Sequence, residues 1–325
     1  MPRLSTTIIA FLLTSLAIYL LPKHNIIQHL NMGSTKQHEF TYETVPGIFL
    51  QDDPATDWAN FDYTEDFGLI QRTYPTDTPD TAQEPAWQRL DRYIQHLDTS
   101  SPDGTSYKLL YMGRHGEGDH NVAEAFYGTK AWDDYWSKLE GNGTVSWADA
   151  HLTDIGKQQA LTAHAFIESQ LSKRAMPAPQ SYYVSPMYRC LQTASLTYSG
   201  LNLPENRPFS PVIKELVREV LGEHTCDRRS TKTYIHAAYP EWRIEPGFAE
   251  NDELWQADHR ETHEEHDVRT RKFLGDLFSN DGNLYLSLTS HSGAIASHLR
   301  VLGHREFKLP TGGMIPVLVK ATRID

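Results

Sequence analysis

The chain has almost no cysteine. Cys190 and Cys226 are its only two, which excludes a small secreted scaffold stapled by several disulfides. One bridge between them is possible, and nothing in their spacing requires it. Basic residues are not in excess either. With 30 Lys and Arg against 42 Asp and Glu the net charge is −12, so neither nucleic acid nor an anionic membrane surface would be drawn to the protein over long range. Any anion-binding site must be local. Long apolar runs are absent with one exception, Leu4 to Leu21, eighteen residues without a charge that stop at Pro22-Lys23-His24. That length reaches the lower limit for a membrane-spanning helix. Leu20-Leu21-Pro22-Lys23 is a poor version of a small-residue cleavage site. The expectation is therefore a hydrophobic helix within residues 1–22 that acts as an uncleaved anchor, with a cleaved signal or a buried core helix as alternatives. Membrane or secretory-pathway placement follows from it rather than a cytosolic one. The sequon Asn142-Gly143-Thr144 is compatible with a lumenal domain.

The remainder reads as a soluble globular protein: 39% apolar and 22% charged residues place it outside the disordered and multi-span membrane classes. Residues 23–85 are rich in Asp, Thr, Pro and Gln, with short apolar runs such as Ile48-Phe49-Leu50, and read as a spacer and a loosely structured lead-in. A helix opens at Pro85, because Trp87, Leu90, Ile94 and Leu97 fall on one face. From there residues 86–325 alternate. Strands are expected at 107–112, 182–184, 212–216, 284–288 and 315–319, and helices at 153–171, 187–198, 268–278 and 294–302. That is the pattern of an α/β fold with a mainly parallel sheet covered by helices. Ligands in such sheets sit beyond the carboxyl ends of strands. Three polar segments occupy such ends: Gly113-Arg114-His115-Gly116, Ser185-Pro186-Met187-Tyr188-Arg189 and Ser290-His291-Ser292-Gly293.

These residue types fit phosphoryl chemistry. The charged oxygens of a phosphate ester repel nucleophiles, so an enzyme needs fixed cations, an in-line nucleophile and an acid for the leaving oxygen. Arg114 and Arg189 supply planar forks suited to phosphate. His115 can attack as a neutral imidazole, its tautomer held by a backbone carbonyl such as that of Gly116. His291, if protonated, adds a further cation, and no metal or other cofactor is required.

Arg114-His115-Gly116-Glu117 with Asn121, Leu152-Thr153-Asp154-Ile155-Gly156 with Gln159-Ala160, Ser185 to Arg189 with Gln192-Thr193, His291-Ser292-Gly293 and Leu309-Pro310-Thr311-Gly312 follow one another in that order. In this order they resemble the motifs of the histidine phosphatase superfamily, whose best-known branch is the cofactor-dependent phosphoglycerate mutases. The resemblance spans roughly residues 105–320. It implies a three-layer α/β/α fold, phosphorylation of His115, phosphoryl binding by Arg114, Arg189 and His291, and Asn121 in the same pocket. Asn is also a common turn or helix cap. The family's acid is a glutamate shortly before a glycine. Glu219, three residues before Gly222, is favoured over Glu215, and an exposed salt bridge between Glu219 and Arg218 is the alternative. The segment His224 to Arg229 resembles a fungal, phosphoglycerate mutase-like branch. Arg228, Arg229 and Lys232 either reach further anionic groups of a substrate or form a solvated basic loop. Phe126, Tyr127, Trp132, Tyr135, Trp136 and Trp147 form either a bulky cover over the site or the packing of an inserted helix.

Competing classes fit less well. A cysteine phosphatase needs an arginine six positions after its nucleophile, where Cys226 has Lys232 and Cys190 has Leu196. His259, His263 and His266 have zinc-like helical spacing but lack the glutamate that a zinc protease carries after the first histidine. Ser292 lacks the preceding glycine of a nucleophile elbow. The expected activity is hydrolysis of a small phosphorylated substrate through a phosphohistidine. Phosphoglycerate mutase-type transfer and an inactive phospholigand-binding module are the alternatives. Full-length protein should stay on membranes through alkaline carbonate washing and become soluble once residues 1–22 are removed. Its release by carbonate, or a mature N-terminus after residue 22, would show that the segment is no anchor.

Overall fold

The computed structural model describes residues 38–325. The hydrophobic helix and anchor expected within residues 1–22 lie outside the described residues. Among the described residues no helix is long and apolar enough to cross a membrane.

In chain order the elements are β1 (Phe40–Thr44), α1 (Ala86–Ser100), β2 (Thr105–Arg114), α2 (Asp119–Tyr127), α3 (Thr129–Asp134), α4 (Asp154–Lys173), β3 (Ser181–Val184), α5 (Tyr188–Tyr198), β4 (Pro211–Ile213), α6 (Lys232–Ala238), β5 (Arg243–Ile244), α7 (His263–Asn280), β6 (Tyr285–Ser290), α8 (Ser292–Val301) and β7 (Met314–Arg323). The seven strands form one sheet in the order β1-β7-β2-β6-β3-β4-β5. Only β7 runs against its neighbours, pairing antiparallel with β1 and β2. The other contacts, β2 with β6, β6 with β3, β3 with β4 and β4 with β5, are parallel.

The sheet is covered on both faces, which is why its central strands read as continuous apolar runs rather than alternating ones. In β2 the side chains of Leu109 and Tyr111 pack with Trp87 and Leu90 of α1 and Phe166 of α4. Lys108, pointing the other way by the two-residue period, lies over the Phe278 ring of α7. Tyr183 of β3 likewise meets Phe273 of α7. Helices α1, α4 and α5 therefore cover one face and α7 with α8 the other, in agreement with the expected mainly parallel α/β architecture.

The lead-in differs from the sequence expectation. From Phe40 onward it belongs to the domain: β1 closes the sheet edge against β7, and Ile48, Phe49, Phe67, Leu69 and Tyr74 are buried in the main core with Trp87. These apolar residues are spread singly among Asp, Thr and Pro turns, so no period of two or of 3.6 reveals them. The strand expected at 212–216 ends at Ile213, and Glu215–Val217 is a 3-10 turn. Its Glu215 is drawn into an arginine network described below. Helices α2 and α3 answer to the inserted helix that was one reading of the aromatic residues from Phe126 onward, whereas α6 and the short strand β5 were not foreseen.

Because Phe49 is fully buried and its ring lies 5.9 Å from that of Trp87, Phe49→Ala should lower unfolding stability by about 3–5 kcal/mol. Urea denaturation of the purified domain measures this. A loss under about 1 kcal/mol would mean that the lead-in contributes nothing to the main core.

Candidate active site

The polar strand ends meet as the topology requires. Parallel pairing brings Arg114 of β2 opposite Ser290 of β6, so the next residues, His115 and His291, emerge side by side with ring centroids 5.1 Å apart. His115 Nδ1 lies 2.7 Å from the Gly116 carbonyl oxygen. The proton then sits on Nδ1, donating to that carbonyl, and Nε2 carries the free lone pair. This is the arrangement the sequence anticipated. Burial, followed by the Arg189 and Arg114 guanidinium groups, holds the His115 pKa well below the usual imidazole value. The ring is 2% exposed and uncharged at neutral pH, which is the state in which it can attack.

The motif residues around it act mostly as brackets. Gly116 N donates to Thr193 Oγ1, Glu117 N to Gln159 Oε1, and Gly312 N to the His115 carbonyl. Gln159 is steadied in turn by Thr311, and Thr153 both caps α4 and bonds the Glu117 carboxylate. A Cβ on Gly116 would lie 2.3 Å from the Gly156 carbonyl oxygen, and one on Gly156 would lie 2.0 Å from the Glu117 carbonyl oxygen. Only two glycines allow the nucleophile loop to rest directly on the first turn of α4.

Arg114 donates from one terminal nitrogen to the Leu309 carbonyl, 2.8 Å away, while its Nε is buried with no partner. Arg189 is placed differently from the open fork that the sequence led us to expect. It is completely buried and donates to the Cys226 carbonyl at 2.6 Å and to Asp227 Oδ1 at 3.0 Å, while its Nε faces His291 Nδ1 at 3.3 Å. Asp227 also binds Arg260. Burial alone would raise the Asp227 pKa, but Arg260 and Arg189 outweigh it and hold the carboxyl below its usual value. His291 is not the extra cation considered above. Burial, then Arg189, His115, His120 and Arg218, push its pKa well below the usual value. Because Nδ1 accepts from Arg189, Nε2 carries the proton and donates to Ser185 Oγ at 2.7 Å.

The two candidate acids separate cleanly. Glu215 is buried and bound by Arg218 and, through both oxygens, by Arg229. Arg218 itself is fully buried between Glu215 and Asp252, so it makes no exposed pair with Glu219. Glu219 sits at the start of α8 instead, where its carboxylate accepts from Gly293 N and Ser292 Oγ, next to His291. Asn121 is a cap: its Oδ1 accepts from Gly118 N and closes the first turn of α2. Arg228 pairs with Glu140 and lies over Trp255, so it and the buried Arg229 are both already engaged. The aromatic insert packs mainly on itself. Trp132 and Trp147 are buried with Cys226, and Tyr127 stacks on Trp136 at 4.0 Å. Phe126 and Tyr135 are its exposed members, at 80% and 57%.

Metal ligation has little support here. His259, His263 and His266 form no metal-holding group among the described residues. The donor atoms of His224, Cys226 and Asp227 lie within 4.8 Å of one another, but Asp227 is already neutralised by two guanidinium groups that would repel a cation there. Both cysteines are free and buried.

Residues 110–311 match the histidine phosphatase superfamily (branch 1). The chain belongs to that superfamily. Among its relatives is a protein of Arthroderma benhamiae named "Probable phosphoglycerate mutase", 51% identical over 283 residues, which cover 86% of this chain and 84% of the relative. A "Phosphomutase-like protein 3" of Candida albicans is 34% identical over 86% of this chain and 79% of its own length. A probable phosphoglycerate mutase of Saccharomyces cerevisiae is 38% identical over 70% of this chain and 83% of its own.

Several members of this histidine phosphatase site were not singled out from the sequence. Asp227 and Arg260 lie outside the ordered motifs, and His120 stands five residues after His115. The signal for Asp227 was present in Cys226-Asp227-Arg228, but nothing in that string says that the carboxylate meets Arg189. Asp227→Asn should cost about 3–5 kcal/mol, because the buried Arg189 and the half-buried Arg260 would be left without their counter-charge. The native contribution is present above the unfolded carboxyl pKa of about 4 and is lost as pH falls through the lower folded value. Denaturant unfolding of wild type and variant between pH 7 and pH 3 tests this, and a constant difference across that range would contradict the ion-pair account.

Proposed function

We propose that the protein is a metal-independent phosphohydrolase that cleaves phosphomonoesters through a phosphohistidine on His115. His115 Nε2 attacks phosphorus and the bond to the ester oxygen breaks. Glu219 acts as the acid and gives a proton to the leaving oxygen. Water then attacks phosphorus, giving a proton to the Glu219 carboxylate as the nitrogen–phosphorus bond breaks, which releases inorganic phosphate and restores both the neutral ring and the acid. Arg114 is the principal phosphoryl-binding cation. His291, a neutral ring held at Nδ1 by Arg189, turns its Nε2 proton from Ser185 Oγ to the same group, and Arg189 acts through this orientation and through its charge.

The observation that carries hydrolysis over transfer is the distribution of cations. A mutase acting on a small phosphorylated acid must also grip the substrate carboxylate and keep water from the phosphohistidine. Around this site Arg189, Arg218, Arg228, Arg229 and Arg260 each hold a carboxylate of the protein. Arg114 alone of the site arginines binds only a backbone carbonyl. One open guanidinium suffices for a phosphoryl group and leaves none of the set for a second strong anion. Mutase-type transfer remains the second reading because the relatives' names point to it, although shared ancestry alone does not assign chemistry.

Product analysis separates the two. Given 3-phosphoglycerate or a larger phosphomonoester in the presence of chelator, wild type should release phosphate faster than it forms 2-phosphoglycerate. Brief labelling should leave acid-labile, base-stable phosphate that His115→Ala cannot take up. Faster accumulation of 2-phosphoglycerate would install the mutase reading, and loss of activity in chelator restored by zinc would overturn metal independence.

Glu219→Gln should slow esters with poor leaving groups by roughly 10²–10⁴-fold and barely affect those with good ones, because only the former need a proton in the transition state. Equal losses on both would make Glu219 a binding residue.

A further inference from the structure

His120 has no structural reason to be a histidine. It is the second residue of α2, 8% exposed, and its ring centroid lies 5.4 Å from that of His115, on which His291 also borders at 5.1 Å. Among the described residues it forms no ion pair, and its Nδ1 is enclosed without a hydrogen-bond partner. An apolar side chain of similar size would fill the space without that penalty.

The ring's orientation shows what the other nitrogen offers. A Cβ on Gly118 would lie 2.8 Å from His120 Nδ1 and 3.0 Å from Cε1, so this edge is pressed against the glycine backbone and Nε2 is carried away from it. A neutral imidazole has one N–H, and enclosing an unsatisfied N–H is less tolerated than enclosing an unsatisfied acceptor. The proton therefore belongs on Nε2. Burial first, then Arg189, His115, Arg114 and His224, keep the ring neutral. These surroundings are rich in donors and cations, and Arg114 Nε is an enclosed donor without a partner. What would satisfy such a set is an acceptor with several oxygens and negative charge.

We infer that His120 donates a hydrogen bond from Nε2 to a phosphoryl oxygen of the substrate, so that the transferring group is held between imidazoles while His115 attacks it. This rests on the reading of His115 as the phosphoryl acceptor and adds a catalytic residue to it. A donor aimed at developing charge in a dry site is typically worth about 10²–10³ in turnover.

The test is a crystal structure of the wild-type protein with orthovanadate, together with three variants. A His120 ring nitrogen should lie about 3 Å from a vanadate oxygen. His120→Ala should lose about 10²–10³ in kcat and at least about tenfold in inhibition by orthovanadate, while the acid-labile label still forms on His115. His120→Asn, which keeps a donor, should recover part of both losses, and His120→Leu, which only fills space, should not. A ring more than about 4 Å from every vanadate oxygen, or Leu performing as well as Asn, would overturn the inference, and the vanadate distance decides it even where the variants fold poorly. Absence of label on wild-type His115 would instead sink the parent reading.

Discussion

An uncharged imidazole buried near two guanidinium groups is the condition on which this site depends. In the proposed role His115 can attack only while its Nε2 lone pair is free, and both burial and the nearby Arg189 and Arg114 favour that state. The same arginines that would bind a phosphoryl group thus suppress protonation of the nucleophile before the group arrives. The Gly116 carbonyl opposes this slightly, but it fixes the tautomer, without which the neutral ring would be divided between two forms.

Keeping Arg189 dry has its own requirement, which explains much of the surrounding architecture. A buried guanidinium must have its charge balanced and its donors satisfied. Asp227 and the Cys226 carbonyl do this, and both lie on a segment braced from the far side by the aromatic insert. Thr225 Oγ1 donates to the Leu139 carbonyl, which also receives Trp147 Nε1, and Cys226 packs within the Trp132 and Trp147 cluster. The insert is thus less a cover for the substrate than the wall that fixes the counter-charge of Arg189.

Much of this was legible in the sequence, for a physical reason. Periodic apolar runs marked most strands and long helices because the central sheet is buried on both faces. The residues at the strand ends stood out because His115, Arg189 and His291 follow short apolar runs where packing gives no reason for them. The Gly116 carbonyl was foreseen as the tautomer anchor because it is the nearest acceptor. What failed to show was anything set by long-range side-chain pairing. Whether Arg189 is an open fork or a saturated one depends on Asp227, 38 residues away, and the roles of Glu215 and Glu219 depend on which of them meets Arg218 and Arg229. The lead-in was misjudged because its buried residues, such as Phe49 and Phe67, are anchored one at a time and carry no period.

The motifs themselves divide into two kinds once the contacts are known. Arg114, His115 and His291 are the motif residues proposed to meet the reacting group, whereas Gly116, Gly156, Gln159, Gln192, Thr193, Thr311 and Gly312 secure the surrounding loops. Gln192 illustrates the second kind: its Oε1 accepts from Leu152 N and ties α5 to the approach of α4. Such brackets must be small residues, hydroxyls or amides, since they either let backbones touch or satisfy a single buried N–H without adding charge. A charged bracket there would shift the balance that keeps His115 neutral. The same constraint that governs the nucleophile therefore also limits which residues can hold it in place.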